Sequence, residues 1–166
     1  MTAPADPRLA EVLAGLSGVA PDFLLRQRWF GGKSREVRGL RPVDAAALGP
    51  GGPYLALVEV SYADGEPDTY LLPLALRDDA VSGDLAAFRL DGGTAALDAT
   101  EDESFPPLLY RLIEEGARVP GQAGEFRFCH TRALAEAGAG LRSRAGLPGA
   151  ARPGAEQQQH HLRRRL

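Results

Sequence analysis

Between Leu9 and Leu16 the apolar residues Leu9, Val12, Leu13 and Leu16 recur at helical spacing, predicting a helix opened by Pro7 and closed near Gly18. A second short helix is predicted after Pro21, carrying Phe23, Leu24 and Arg26 forward until the pair Gly31-Gly32 stops it. Val37 to Leu48 is compatible with a strand. Tyr54 to Tyr62 alternates cleanly, with Tyr54, Ala56, Val58, Val60 and Tyr62 on one face and Leu55, Leu57 and Glu59 on the other. Turn formers fill residues 63–68, and Thr69 to Leu76 returns as an antiparallel partner. Pro73 cannot donate to a ladder, so the returning strand should be bulged or at an edge there. Leu85 to Leu90, Asp91-Gly92-Gly93 and Thr94 to Ala99 read as another hairpin. A helix beginning near Phe105 turns Leu108, Leu109, Leu112 and Ile113 inward and ends at Gly116, and Glu125 to His130 alternates as a short strand. The connections between strands are too short for parallel crossovers, which predicts an α+β fold: an antiparallel sheet packed on helices.

Composition limits what this fold serves. The chain has 166 residues, 44% of them hydrophobic, enough for one domain with a sizeable core. Residues 138–155 are instead Gly-, Ala- and Pro-rich and predict a linker. Acidic and basic residues nearly cancel to a net charge of −3, so no nucleic-acid partner is expected. No apolar run approaches bilayer length and the N-terminus has no export signal, so no membrane partner is expected either. The single cysteine, Cys129, rules out an internal disulfide and fits a reducing, cytoplasmic setting.

Candidate chemistry centres on Arg26 to Arg35, RQRWFGGKSR, which holds the only tryptophan and the only lysine. Gly32-Lys33-Ser34 invites a phosphate-loop reading, but that loop needs a glycine where Gln27 stands. Asp22-Phe23-Leu24 departs from a kinase metal-binding motif and reads as a helix-start acid beside a core aromatic. His130, His160 and His161 lack carboxylates at metal-ligand spacing. Cys129, on an alternating strand beside Phe128, is expected to be buried and inert. Asp98, Glu101, Asp102 and Glu103 either bind a cation or, as the ordinary reading has it, are solvated at a helix start. No catalytic, cofactor-binding or metal-binding residue is assigned. Within the decapeptide two readings stay open: Trp29 and Phe30 anchor a helix end in the core while Gly31 and Gly32 turn through positive φ, or Trp29, Lys33 and Arg35 form a binding edge.

RQRWFGGKSR, followed by the strand-turn-strand LVEVSYADGEPDTYLLPLAL, resembles the N-terminal cap domain of bacterial maltokinases, free-standing or fused to trehalose synthase. The resemblance covers roughly Leu9 to Phe128. It implies a curled, cystatin-like sheet and service in ATP-dependent phosphoryl transfer to maltose, giving maltose 1-phosphate for α-glucan and trehalose metabolism. Its pattern falls on Gln27, Arg28, Trp29, Phe30, Gly31, Gly32 and Lys33, which belong to the cap as packing or interface residues. The catalytic residues of the family, and its ATP and Mg, belong to kinase lobes that this chain does not include, so the chain by itself is expected to be inactive. The implied organisation is a cap over residues 1–135, a linker over 136–157 and a tail over 158–166. The implied partners are the kinase lobes and, beyond them, trehalose synthase. Two other readings are a stand-alone interaction module docking trehalose synthase or a separate kinase body, and the cap of a glucosamine-type amino-sugar kinase.

The tail carries its own expectation. Asn is absent and Lys and Ile occur once each, which suggests a GC-rich gene. With suitable codons, dropping one base after Gln157 turns Gln158 to Leu166 into a Ser-Asn-Thr-type loop and a valine run like the one that opens the family's nucleotide lobe. A frameshifted, disordered tail is therefore expected, against a rival reading of its three final arginines as an RNA- or membrane-binding element.

Overall fold

Alternating and helical patterns condense into three helices and seven strands among the described residues, 6–78 and 85–134 of a computed structural model. Two units divide after Cys129. In the second, the described residues contribute one helical turn over 132–134, with the Leu134 amide donating to the Thr131 carbonyl. The predicted linker and tail lie outside the described residues.

In the first unit, helices α1 (Leu9–Leu16) and α2 (Pro21–Arg26) precede a curled antiparallel sheet. Its strands are β1 (Val37–Ala47), β2 (Tyr54–Tyr62), β3 (Asp68–Arg77), β4 (Phe88–Arg89) and β5 (Ala95–Asp98), in spatial order β1-β2-β3-β5-β4. Both predicted hairpins form, and the α+β fold is as expected. The two prolines explain where the sheet stops pairing. Pro42 lies on edge strand β1 beside a bulge between Pro42 and Asp44, and the β5 ladder covers Leu74 to Arg77, stopping short of Pro73.

The alternation of β2 separates two cores. Tyr54, Ala56, Val58 and Val60 are fully buried against Val12 and Leu16 of α1 and Phe23 and Leu24 of α2. Each such large aliphatic removed from water contributes about 1.5–3 kcal/mol before conformational entropy is charged against it. On the opposite face Leu55 packs with Ala99 and with Phe105 of α3 (Phe105–Glu115). That helix starts with Pro106 and Pro107 in its first turn and ends at Gly116, whose φ of 60° is the left-handed cap its sequence predicts. Phe126 and Phe128 join this second core from a small hairpin, β6 (Arg118–Pro120) and β7 (Glu125–Arg127). No helix among the described residues is long and apolar enough to cross a membrane.

Two carboxylates, Asp44 and Asp6, lock distant segments together. Asp44, 8% exposed on β1, accepts hydrogen bonds at Oδ1 from the amides of Ala45 (2.8 Å) and Ala123 (2.9 Å), while the Gln122 amide donates to the Ala45 carbonyl at 3.1 Å. The β6–β7 turn is thereby held on the bulged strand. Just beyond the C-terminal end of β1, Asp6 accepts from the Gly51 amide (2.9 Å) and the Tyr54 hydroxyl (3.2 Å), tying the start of the described chain to the β1–β2 connection.

Burial first, and the Asp6 carboxylate second, push the Tyr54 hydroxyl from 10.0 up to about 12. Because the folded value lies above the ordinary one, the protonated phenol contributes stability in full below pH 10 and loses it as pH rises through about 12. The melting temperature should therefore fall between pH 10 and 12, and the Tyr54→Phe variant should fall distinctly less over that interval. Parallel curves for the two proteins would remove Tyr54 as the cause.

Candidate functional site

Helix α2 sets the decapeptide in place. Its buried Phe23 and Leu24 fix the helix, its Asp22 stands in the first turn where negative charge suits the dipole, and Leu25 faces out at 38% exposure. Gln27 closes it twice: its amide donates to the Leu24 carbonyl at 3.0 Å and its Nε2 to the Phe23 carbonyl at 3.1 Å. Turns come next, with Phe30 N donating to Gln27 O (3.3 Å) and Arg35 N to Gly32 O (3.0 Å). The chain thus coils over the sheet end where Tyr62 and Tyr70 sit.

Phe30 is the inward anchor, 2% exposed with its ring centroid 5.0 Å from that of Tyr70. The Tyr62 and Tyr70 hydroxyls are 3.3 Å apart, and burial, followed by hydrogen bonding to Tyr70 and Asp68, raises the Tyr62 pKa. Gly32 lies against this group. A Cβ there would sit 2.7 Å from Phe30 Cζ, 2.8 Å from Tyr62 Cε1 and closer still to the Tyr62 hydroxyl, whereas one at Gly31 would meet nothing nearer than 3.8 Å. The expectation that both glycines adopt positive φ is corrected: neither does, and Gly32 is needed for close approach.

Arg35 has a structural occupation. Its guanidinium lies 3.5 Å from the Tyr62 ring centroid, pairs with Asp68 at 3.1 Å and donates to the carbonyls of Asp64 (2.9 Å) and Glu66 (2.8 Å). It clamps the β2–β3 turn with contacts suited to its planar fork, which takes it out of the predicted binding edge.

Trp29 departs from the core reading. It remains 36% exposed, fixed by Nε1–H donating to Asp98 Oδ2 at 2.9 Å and by rings at 6.0 Å (Tyr70) and 6.4 Å (Phe30, edge-on). The physical reason is the indole N–H, which needs a polar partner and finds one at the sheet margin, 69 residues away in sequence. Arg28, Gly31 and Lys33 are exposed on the same loop. Of the motif residues, then, Gln27, Phe30 and Gly32 build the loop while Arg28, Trp29 and Lys33 face solvent. From Arg26 to Arg41 the chain carries six cations and one carboxylate, although its net charge is −3.

Within the acidic group, Asp98 and Asp102 are spent on local structure while Glu101 and Glu103 are exposed. Asp98 Oδ1 accepts from the Thr100 amide (2.8 Å) and hydroxyl (2.7 Å), and Asp102 accepts from the amide (2.9 Å) and hydroxyl (2.6 Å) of Ser104 and pairs with Arg77. Hydrogen bonds from Ser104 first, with Arg77 adding to them, lower the Asp102 pKa. No group of three metal-capable side chains occurs among the described residues.

Cys129 is exposed, correcting its expected burial: the last strand ends at Arg127, two residues before it, so the alternation never reaches it. Asp44 and Asp6, which hold distant segments, and Asp98 as the partner of Trp29 escape sequence reasoning because none has a local signal. Residues 23–102, from α2 through β5 to Asp102, match the family model described as Maltokinase N-terminal cap domain.

Proposed function

Residues 23–102 form a maltokinase N-terminal cap domain, and on that premise we propose that the chain acts as the accessory lobe of a maltokinase-type reaction, ATP-dependent phosphoryl transfer to the anomeric oxygen of maltose. In this reading the kinase body supplies nucleotide, magnesium and the catalytic groups. The cap supplies a rigid surface that docks on the body. The observation that carries the reading is the division of labour within the family motif, where Gln27, Phe30 and Gly32 shape the loop and Arg28, Trp29 and Lys33 are left facing outward. A tryptophan held by a hydrogen bond and two aromatic neighbours loses little entropy on docking, which suits it to an interface.

The test is reconstitution. The purified chain alone should form no maltose 1-phosphate from maltose and ATP, whereas adding it to a kinase body lacking its cap should raise that body's turnover or its melting temperature. Phosphoryl transfer by the chain alone, free of contaminating kinase, would overturn the assignment. Tighter association with trehalose synthase than with the body would favour the interaction-module reading instead.

A further inference from the structure

Taking the cap reading as its basis, we infer that the exposed edge formed by Arg28, Trp29 and Lys33 docks on a carboxylate-bearing surface of the kinase body, with the indole edge seated in an apolar recess among those carboxylates. The charge run from Arg26 to Arg41 is partly neutralised within the fold. Arg35 pairs with Asp68 at 3.1 Å, Arg38 with Glu36 at 3.4 Å and Arg41 with Glu59 at 3.1 Å. Arg28 and Lys33, either side of Trp29 in the loop, are exposed and stand outside these pairs.

Two properties make this edge selective for an acidic partner. The chain as a whole is negative at −3, so an acidic surface is repelled in most orientations and drawn in at this loop, which fixes the docking pose. Trp29 is 36% exposed yet held by Asp98 and Tyr70, so it offers apolar area at small entropic cost beside two cations. A nucleic acid fits less well, since a net-negative chain offering two cations here gains little from counterion release.

The single tryptophan provides the probe. The full chain, with 5-fluorotryptophan at position 29, is titrated with a capless maltokinase body, and the lone 19F resonance is followed at about 50 mM and about 500 mM salt. The resonance should shift on binding, and the apparent affinity should fall about tenfold or more at high salt. The double variant Arg28→Glu/Lys33→Glu should weaken low-salt binding by about tenfold or more, while Arg111→Glu, exposed on α3, should bind like the parent. An unshifted resonance in the free variants establishes that the loop is intact. If the double variant binds as the parent does, the edge assignment is overturned while the cap reading stands. If the parent does not bind the body at either salt, both are overturned. A resonance moved by poly(U) but not by the body likewise overturns the proposal.

Discussion

Asp44→Ala should lower the stability of the first unit by about 3 kcal/mol, because it strips a buried acceptor from two backbone donors. The Ala45 and Ala123 amides bond Oδ1 at 2.8 and 2.9 Å, and the β6–β7 turn closes over the carboxylate so tightly that a Cβ on Gly121 would lie 2.9 Å from Asp44 Cγ. Deleting one partner of a buried hydrogen bond costs more than the bond is worth, since the donors stay desolvated. In urea the midpoint should drop with little change in slope, and the melting temperature should fall by roughly 10 °C. Asp44→Asn, which retains a carbonyl acceptor, should cost clearly less. Hydrogen exchange at residues 118–127 separates this account from a general loss of packing: those amides should exchange faster well before β2 and β3 are affected. Unchanged protection there in the alanine variant would rule out the clamp.

The second large effect belongs to Gly32. Introducing a single methyl at this position should destabilise by about 2 kcal/mol, within the range for overpacking a close-fitted core. Gly31→Ala, one residue earlier, should be neutral or slightly stabilising, because its backbone is ordinary and its surroundings are open to 3.8 Å. The contrast tests the cause directly. Were both glycines needed for backbone freedom, both substitutions would be costly. With close approach as the cause, Gly32→Ala alone is costly, and adding Tyr62→Phe should recover part of the loss by removing the nearest oxygen. Part of the strain should remain, since Phe30 Cζ lies within 2.7 Å of the new carbon.

How legible this molecule is from sequence depends on the range of the forces involved. The faces of β2, the stripe of α1 and the left-handed stop at Gly116 are written in nearest neighbours, and each is found where periodicity places it. The glycine pair shows the intermediate case. Its spacing announces a special backbone but does not distinguish a positive φ from close packing, because the answer lies in Tyr62, thirty residues downstream of Gly32. Hydrophobicity draws Trp29 toward the core, and the indole N–H reverses that by finding Asp98. Arg35 has the composition of a binding residue and the geometry of a turn clamp. Asp44 gives no sign at all: a lone acid on an alternating strand ordinarily faces water, and its partner amide is 79 positions away.

The family segment, residues 23–102, is shorter than the unit that folds around it. Anyone transplanting this lobe onto another enzyme by cutting at Phe23 and Asp102 would discard Leu9, Val12 and Leu16 from one core and Phe105 from the other. Such a graft would arrive with raw apolar seams on both sides of the sheet and precipitate. A cassette from Asp6 to Cys129 keeps those seams closed and is the piece to move.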